Sequence, residues 1–145
     1  MTRPRLRRGR PLTKSEQMAR VRSRNTDPER TLRRALWAAG LRYRVGFRLP
    51  GTPDVTFLGA RVAVFVDGCF WHGCPEHYTA PVLNADFWRK KLARNRERDE
   101  RVDMDLRALG WRSIRVWEHA VLGRLHEVVR MIRDAVETSK KRREK

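Results

Sequence analysis

The apolar run at residues 62–66 leads directly into a segment rich in metal-binding side chains. That segment contains two cysteines, two histidines and an aromatic pair, namely Cys69, Phe70, Trp71, His72, Cys74 and His77. An ordinary strand end needs only valines and a glycine turn. Clustered Cys and His residues that immediately follow a buried strand therefore favour a metal-binding or catalytic site over an ordinary hydrophobic core.

The spacing of these donors predicts zinc. Cys69, Cys74 and His77 form the pattern C-x4-C-x2-H, and His119 follows the next major strand-like segment. Thiolates and imidazoles in tetrahedral arrangement select Zn2+. Because protein ligands would fill all four positions, we predict a structural site that holds the Cys69 loop against the strand ending at Glu118. The alternative is two unrelated thiols and two surface histidines.

The charge of the chain indicates a polyanionic partner. The 34 Lys and Arg residues outnumber 17 Asp and Glu, which gives a formal net charge of +17 and a pI near 11.5. Six of the basic residues are lysines, and the planar arginine fork suits bidentate phosphate contacts. Nucleic acid is the favoured partner. A high arginine content can also reflect the base composition of the genome.

Cysteine usage and hydropathy predict the compartment. Two cysteines do not make a disulfide framework, and no apolar run follows the basic N-terminus as in a secretory signal. No stretch approaches the roughly 18 apolar residues of a membrane span. We predict a cytoplasmic, nucleoid-associated protein with no membrane partner, and a peripheral electrostatic membrane role is the disfavoured alternative.

Length and charge distribution predict one folded domain with basic ends. A chain of 145 residues can bury roughly two-thirds of its unfolded surface, and it can therefore fold without stabilising disulfide bonds or metal ions. Residues 1–12 are predicted to be a disordered basic arm, residues 13–139 the single domain, and residues 140–145 a basic tail. Either end can alternatively be a solvated charge run.

Capping and turn signals predict the order helices, a strand meander, then αβα. Capping boxes at Thr13 with Glu16 and at Thr26 with Glu29 start two helices, the second ending at Gly40. Strand-like segments lie at 41–47, 54–58 and 62–66, the last two as a hairpin, followed by a long helix at 84–109, a strand at 111–118 and an amphipathic helix at 121–138.

Three polar side chains fall on predicted inward faces. Glu29 lies on the apolar stripe of the second helix, and Asn95 and Asp99 lie on the stripe that runs from Trp88 to Leu109. Buried polar groups need partners. Glu29 can be only a cap, and Asp99 can simply pair with one of the many arginines. The other interpretation is a functional site.

Asp54 suggests a second metal. It begins a strand whose hairpin partner ends at Val66, so its carboxylate and the Val66 carbonyl can meet at the sheet edge. Hard oxygen ligands plus waters are what Mg2+ prefers. With His72 just beyond that strand end and Glu29 and Asp99 facing inward, the pattern predicts a hydrolytic centre with one metal, one base and supporting acids. Alone, Pro-Asp usually marks only a turn.

Several segments resemble the very-short-patch-repair (Vsr) DNA mismatch endonucleases. They are residues 49–54, residues 64–75, Phe87-Trp88 with residues 95–99, and residues 110–118, and Gly-Cys-Phe-Trp-His at 68–72 is the most specific. The resemblance spans residues 15–122. It implies an α/β, restriction-endonuclease-like fold with a central mixed β-sheet flanked by helices. It also implies an endonuclease that nicks one strand of duplex DNA next to a T:G mismatch, with mismatch-repair proteins as possible partners. A single nick needs only a monomer, and the sequence shows no evident symmetric interface.

The resemblance assigns catalytic roles residue by residue. Asp54 and the Val66 carbonyl would bind the catalytic Mg2+. His72 would be the general base, and Glu29 and Asp99 would hold metal-bound waters. The structural zinc site of the family matches the four cysteine and histidine ligands named above.

The resemblance also assigns a DNA-binding set. Phe70, Trp71 and Trp88 match the aromatic wedge of the family, and Asn95 is placed with them. Wedging rings between base steps costs a few kcal/mol of unstacking, least at a mismatch, so deformability contributes to discrimination. The alternative is that these aromatic side chains are simply core.

The chain departs from the family pattern at three points. A second acid followed by Lys is missing, Val66 offers no side-chain ligand where a relative can have Thr, and Asp67 stands where some members have His. The coordination at Val66 and the role of Asp67 therefore stay open. Two rival functions remain: a nuclease of the same fold without mismatch specificity, and a non-catalytic, zinc-stapled DNA-binding module.

Overall fold

The computed structural model describes residues 26–76 and 78–144, apart from the side chains of residues 70, 71, 143 and 144. The predicted basic arm, the capping box at Thr13 and Glu16, and His77 lie outside the described residues. In the described part, the elements are α1 (Asp27–Ala38), β1 (Val55–Phe57), β2 (Val62–Asp67), α2 (Cys69–His72), α3 (Ala85–Ala108), β3 (Arg112–Trp117), α4 (Glu118–Gly123) and α5 (Leu125–Glu144).

The sheet is mixed and has the strand order β1-β2-β3. β1 and β2 form the predicted antiparallel hairpin, with Val55 opposite Val64. β2 and β3 are parallel, with Val64 beside Ile114, and the crossover between them carries α2 and α3. Helices pack on the sheet, so the predicted mixed sheet flanked by helices is confirmed.

The first turn of α1 is fixed by its own sequence. The Thr26 hydroxyl accepts a hydrogen bond from the Glu29 N–H at 3.5 Å, and the Glu29 carboxylate accepts one from the Thr26 N–H at 3.3 Å. This is the predicted capping box, with Pro28 in the first turn. Leu32 and Leu36 on the same helix are fully buried. The capping box fixes the residue at which α1 begins, and with this start Leu32 and Leu36 face the core.

β2 separates two apolar clusters because side chains alternate along a strand. Val62 and Val64 face the larger cluster, built with α1, α4 and α5. Ala63 and Phe65 face the smaller cluster, which includes Leu106 of α3. Asp67 follows Ala63 and Phe65 on the same face of β2. The polar end of β2 therefore reaches the face of the sheet that α3 covers.

Three details of the predicted elements are wrong. Residues 41–47 do not form a strand: only Arg44 bridges to Thr56, because Gly46 at φ 72° turns the chain. Leu109 is 56% exposed, since it caps α3 and no longer follows the helical stripe. The last predicted helix is broken at Arg124, whose φ of −135° ends α4.

The long helices are amphipathic rather than apolar. α3 has 24 residues and α5 has 20, and α5 continues through the basic residues Lys140 and Lys141 to Glu144. None of the helices in the described segments combines the length and apolar character needed to cross a bilayer.

Candidate active site and metal-binding clusters

The carboxylates of Glu29 and Asp54 lie side by side, between the first turn of α1 and the start of β1. Asp54 Oδ2 accepts a hydrogen bond from the Val66 N–H at 2.7 Å. Burial is the main cause that raises the pKa of Asp54 to about 7, the Val66 N–H opposes it, and the neighbouring Glu29 adds to it. Neighbouring carboxylates repel each other unless a cation or a proton offsets their charge. The side-by-side placement of Glu29 and Asp54 therefore suits a cation.

Arg33 links this acid pair to a basic cavity. Its guanidinium lies 3.2 Å from Glu29 Oε2, and the Tyr43 hydroxyl donates to its backbone carbonyl at 2.8 Å. The open cavity has a volume of about 370 Å3. It is lined by Arg30, Arg33, Arg34, Trp37, Ala38 and Tyr43. Guanidinium groups beside aromatic rings are suited to nucleic-acid phosphate.

His72 is held by acids from two other elements. Its Nδ1 lies 2.5 Å from Asp99 Oδ2 on α3, and its Nε2 lies 3.8 Å from Asp67 Oδ1 at the end of β2. A hydrogen bond to a carboxylate assigns the proton to Nδ1, which leaves a lone pair on Nε2. The arrangement presents Nε2 as a base at the end of the sheet.

Gly73 allows α2 to sit this close to α3. It has φ 67°, and a Cβ at this position would lie 2.7 Å from Arg96 Nη2 and 2.9 Å from Leu92 Cδ1. Arg96 also donates to the Gly73 carbonyl at 3.2 Å. Any side chain here would strain the backbone at this positive φ, and the ends of the Arg96 and Leu92 side chains would have to shift to make room for it.

Arg115 of β3 lies among three carboxylates. Its Nη1 is 3.1 Å from Asp67 Oδ1 and 3.6 Å from Asp99 Oδ1, and its Nη2 is 3.0 Å from Asp103 Oδ1. Burial alone would lower the pKa of Arg115, but the carboxylates, Asp103 above all, raise it. Burial raises the pKa of Asp67, and His72 and Arg115 oppose this. The acids around His72 thus face a permanent cation.

The cysteines form a separate cluster with His119. Cys69 Sγ lies 3.3 Å and Cys74 Sγ 3.4 Å from His119 Nδ1. Burial is the main cause that raises the pKa of Cys69 to about 11, and the neighbouring Cys74 adds to it. The Cys69 N–H also donates to Glu118 Oε1 at 3.0 Å, at the end of β3. Two buried sulfurs and an imidazole within reach of one ion fit zinc.

The predicted catalytic residues thus fall into two adjoining groups. Glu29 and Asp54 form one, and His72 and Asp99 form the other. They meet at the end of β2, where the Val66 N–H binds Asp54 and the next residue, Asp67, contacts His72. Both groups lie at one end of the central strand.

The chain is similar to nucleases over most of its length. The family model for DNA mismatch endonuclease Vsr matches residues 10–78. The type II nicking enzyme V.NaeI of Lentzea aerocolonigenes is 46% identical over 115 residues, which is 75% of this chain and 69% of that protein. V.XorIIP of Xanthomonas oryzae pv. oryzae is 43% identical over 121 residues, covering 81% and 89%. DNA mismatch endonuclease Vsr of Escherichia coli is 39% identical over 114 residues, covering 77% and 73%.

The chain belongs to the Vsr family. The predicted family and the predicted DNA endonuclease activity are therefore confirmed. This outcome favours an enzyme over the rival interpretation as a non-catalytic DNA-binding module. The predicted part in DNA mismatch repair follows from the same membership.

The structure places two of the DNA-binding candidates of this Vsr-family chain. Trp88 is buried, with 7% of its surface exposed, and packs edge-on against Phe87 at 5.1 Å. Phe87 itself is 57% exposed. Asn95 is buried, and its side-chain carbonyl accepts from Arg98 at 2.7 Å. The side chains of Phe70 and Trp71 lie outside the described residues.

Sequence reasoning did not single out Arg33 or Arg115. An ion pair between Asp99 and some arginine was one of the expected alternatives, and Arg115 is that arginine. A signal was present in the predicted strand at 111–118, where Arg115 stands between the apolar residues Ile114 and Val116. An arginine in the middle of a strand that packs into a core needs acidic partners.

Proposed function

We propose that this Vsr-family enzyme is a Mg2+-dependent monomer that hydrolyses one phosphodiester of duplex DNA beside a T:G mismatch. The observation that carries the proposal is the His72–Asp99 hydrogen bond, which leaves Nε2 of the imidazole available as a base at the same end of β2 as the acid pair Glu29 and Asp54. A base and a pair of acids at one end of a sheet are the parts that metal-assisted hydrolysis requires.

The residues fit the predicted Mg2+ site. Asp54 and Glu29 would supply two hard oxygen donors, and a divalent cation would offset the repulsion between the neighbouring carboxylates. The Val66 carbonyl is the third candidate donor. When bound, Mg2+ supplies positive charge that neutralises the charge developing on the phosphate.

The chain's own residues carry the proton transfer. His72 Nε2 accepts a proton from the attacking water. Asp99, hydrogen-bonded to Nδ1, stabilises the resulting imidazolium and keeps the ring oriented. Glu29 and Asp99 are also proposed to hold metal-bound waters. The bond between phosphorus and the leaving deoxyribose oxygen breaks, that oxygen takes up a proton from solvent, and His72 returns its own proton to solvent.

The substrate assignment is supported by charge, by the family and by the aromatic residues. The +17 net charge and the arginine-lined cavity beside Glu29 favour a duplex backbone. One relative is named a DNA mismatch endonuclease and others are named nicking enzymes. Phe70, Trp71 and Trp88 are the proposed wedge at a distorted base pair, and Phe87, which packs against Trp88, is exposed.

A strand-resolved cleavage assay tests this function. We expect nicking of one strand of a T:G duplex with Mg2+ to be at least about tenfold faster than of the matched T:A duplex, since unstacking is least costly at a mismatch. Flanking sequence should be varied in both duplexes. Equal rates on both would favour the rival nuclease without mismatch specificity, and no Mg2+-dependent cleavage of any duplex would overturn the proposal.

We further propose that Cys69, Cys74 and His119, with His77, bind a structural zinc ion. The three described ligands come from α2, the turn after it and α4, so one ion would tie the crossover to the end of β3. This site would stabilise the loop that carries His72 without taking part in hydrolysis.

Replacing Cys74 with serine is expected to release zinc and lower the melting temperature by several degrees, because a hard hydroxyl is a poor substitute for a buried thiolate. Zinc content by elemental analysis and thermal unfolding measure both effects. The exposed Thr79, changed to alanine, is the nearby control. A wild-type protein that contains no zinc when purified without chelators would contradict the site.

A further inference from the structure

We infer that Arg115 is a positioning residue for His72, because it holds the two carboxylates that flank the imidazole. The inference rests on the proposed role of His72 as the base. His72 lies on α2 and Asp99 on α3, whereas Arg115 lies on β3. Its contacts with both carboxylates connect the two helices to the sheet.

One guanidinium contacts both neighbours of the imidazole. Asp99 uses Oδ2 for His72 Nδ1 at 2.5 Å and Oδ1 for Arg115 Nη1 at 3.6 Å. Arg115 Nη2 also donates to the Asp99 backbone carbonyl at 3.4 Å. Asp67 Oδ1 is shared in the same way, at 3.1 Å from Arg115 Nη1 and 3.8 Å from His72 Nε2. Each ring nitrogen of His72 therefore faces a carboxylate that Arg115 contacts.

The guanidinium is itself fixed from the opposite side. Arg115 Nε donates to both oxygens of Asp103, at 3.1 and 3.2 Å. Its plane lies over the Phe65 ring at 4.4 Å from the centroid. A planar fork held by a bidentate acid and an aromatic face has little freedom to rotate. Arg115 can therefore hold the carboxylates of Asp67 and Asp99 in fixed positions relative to the sheet.

Electrostatics explains why a cation is needed at this point. Asp67, Asp99 and Asp103 are clustered at the end of β2 and along α3, and like charges this close repel one another. If Arg115 is removed, Asp67 and Asp99 have no shared cation to hold them on either side of the ring. Asp99 can then turn away from His72 Nδ1, and the imidazole loses its orientation.

The cluster of Asp67, His72 and Asp99 also has the geometry of a metal site, since one ligand atom from each lies within 4.8 Å of the others. Arg115 favours a different role. Its guanidinium already contacts both carboxylates, so the protein supplies its own cation there. Asp67 and Asp99 accordingly hold the His72 ring in position, and they are separate from the metal ligands proposed at Asp54 and Glu29.

The test compares Arg115→Met with Arg112→Met, which removes an exposed arginine from the same strand. We expect Arg115→Met to lower kcat for nicking about tenfold to hundredfold, the usual cost of losing a group that orients a functional side chain, with KM for DNA little changed. Arg112→Met should keep the wild-type kcat. Arg115→Lys, which retains the charge without the planar fork, should recover part of the lost kcat.

A second comparison separates positioning from general stability. In a His72→Ala background, Arg115→Met should lower kcat no further, because the ring that it orients is gone. A purely structural role predicts that the two losses multiply, and that result would overturn the inference. If Arg115→Met fails to fold, as judged by circular dichroism, the folded Arg115→Lys variant is put through the same cycle, and either full activity or multiplying losses would overturn it.

The two proposals can fail separately. Wild-type activity in Arg115→Met, with His72→Ala inactive, would refute the role of Arg115 and leave the proposed function standing. Wild-type activity in His72→Ala would instead refute the proposed function and, with it, the inference.

Discussion

Replacing His72 with alanine is expected to reduce the rate of mismatch nicking by about a hundredfold or more, the usual contribution of a positioned general base. The affinity for DNA should change little, since the ring is held between Asp67 and Asp99 and is mostly covered by the protein. Single-turnover nicking of a T:G duplex measures the first effect, and duplex binding in Ca2+ measures the second.

His126 provides the matched control for this experiment. It is an exposed histidine on α5, so His126→Ala removes the same chemical group from a different surface and should nick at the wild-type rate. Equal activity in the two variants would show that the hydrogen bond between His72 and Asp99 serves the fold alone. A large loss of DNA affinity in His72→Ala would instead show that the ring binds substrate.

Replacing Asp54 with asparagine is expected to abolish most nicking and, at the same time, to stabilise the protein in the presence of a chelator. The loss of activity should be on the order of a hundredfold or more, because the amide is a weak ligand for a hard cation. The gain in stability follows from the carboxylate itself, which is half-buried beside Glu29 and has its pKa raised from 3.8 to about 7.

The stabilisation should depend on pH in a defined direction. An acid whose pKa is raised on folding contributes its full stability below the unfolded value, near 4, and loses that contribution as the pH rises through the folded value, near 7. The neutral asparagine has no such loss. Asp54→Asn should therefore match the wild type at about pH 4 and exceed it by up to about 4 kcal/mol at pH 8, because the pKa of Asp54 is raised by about three units and each unit corresponds to about 1.4 kcal/mol.

Thermal unfolding with EDTA from pH 4 to pH 8 measures this difference. Asp134→Asn, at an exposed acid on α5, is the control and should shift the melting temperature little at any pH. A metal-free Asp54→Asn protein that melts below the wild type at pH 8 would contradict the buried acid pair. The expected pairing of lower activity with higher stability is typical of residues kept for function.

The elements that rest on local signals were predictable from sequence. The capping box at Thr26 and Glu29 involves residues three apart, and the hairpin of β1 and β2 needs only two neighbouring segments and the turn at Gly59. The inward positions of Glu29 and Asn95 follow from helical periodicity in the same way. Each of these features depends on contacts within a few residues or on a repeat that the chain itself displays.

Features that depend on packing between distant segments were not predictable. The turn at Gly46 and the break after Gly123 each lie at a glycine, so a local signal was present, but it does not by itself decide whether a helix or strand ends there. The partner of Asp99 was foreseen only as some arginine. Many arginines were available, and nothing local identifies Arg115 as the one that reaches Asp99.

The sequence by itself determined which chemical groups this Vsr-family chain can use: soft donors around Cys69, a base at His72 and hard acids at Asp54 and Glu29. Only the tertiary structure decided how they are grouped, with Asp54 beside Glu29, and His72 between Asp67 and Asp99 under Arg115. The physical reason is that residue type and spacing fix chemistry and local periodicity, whereas hydrogen bonds and ion pairs across the sheet form only when β2, α3 and β3 pack together.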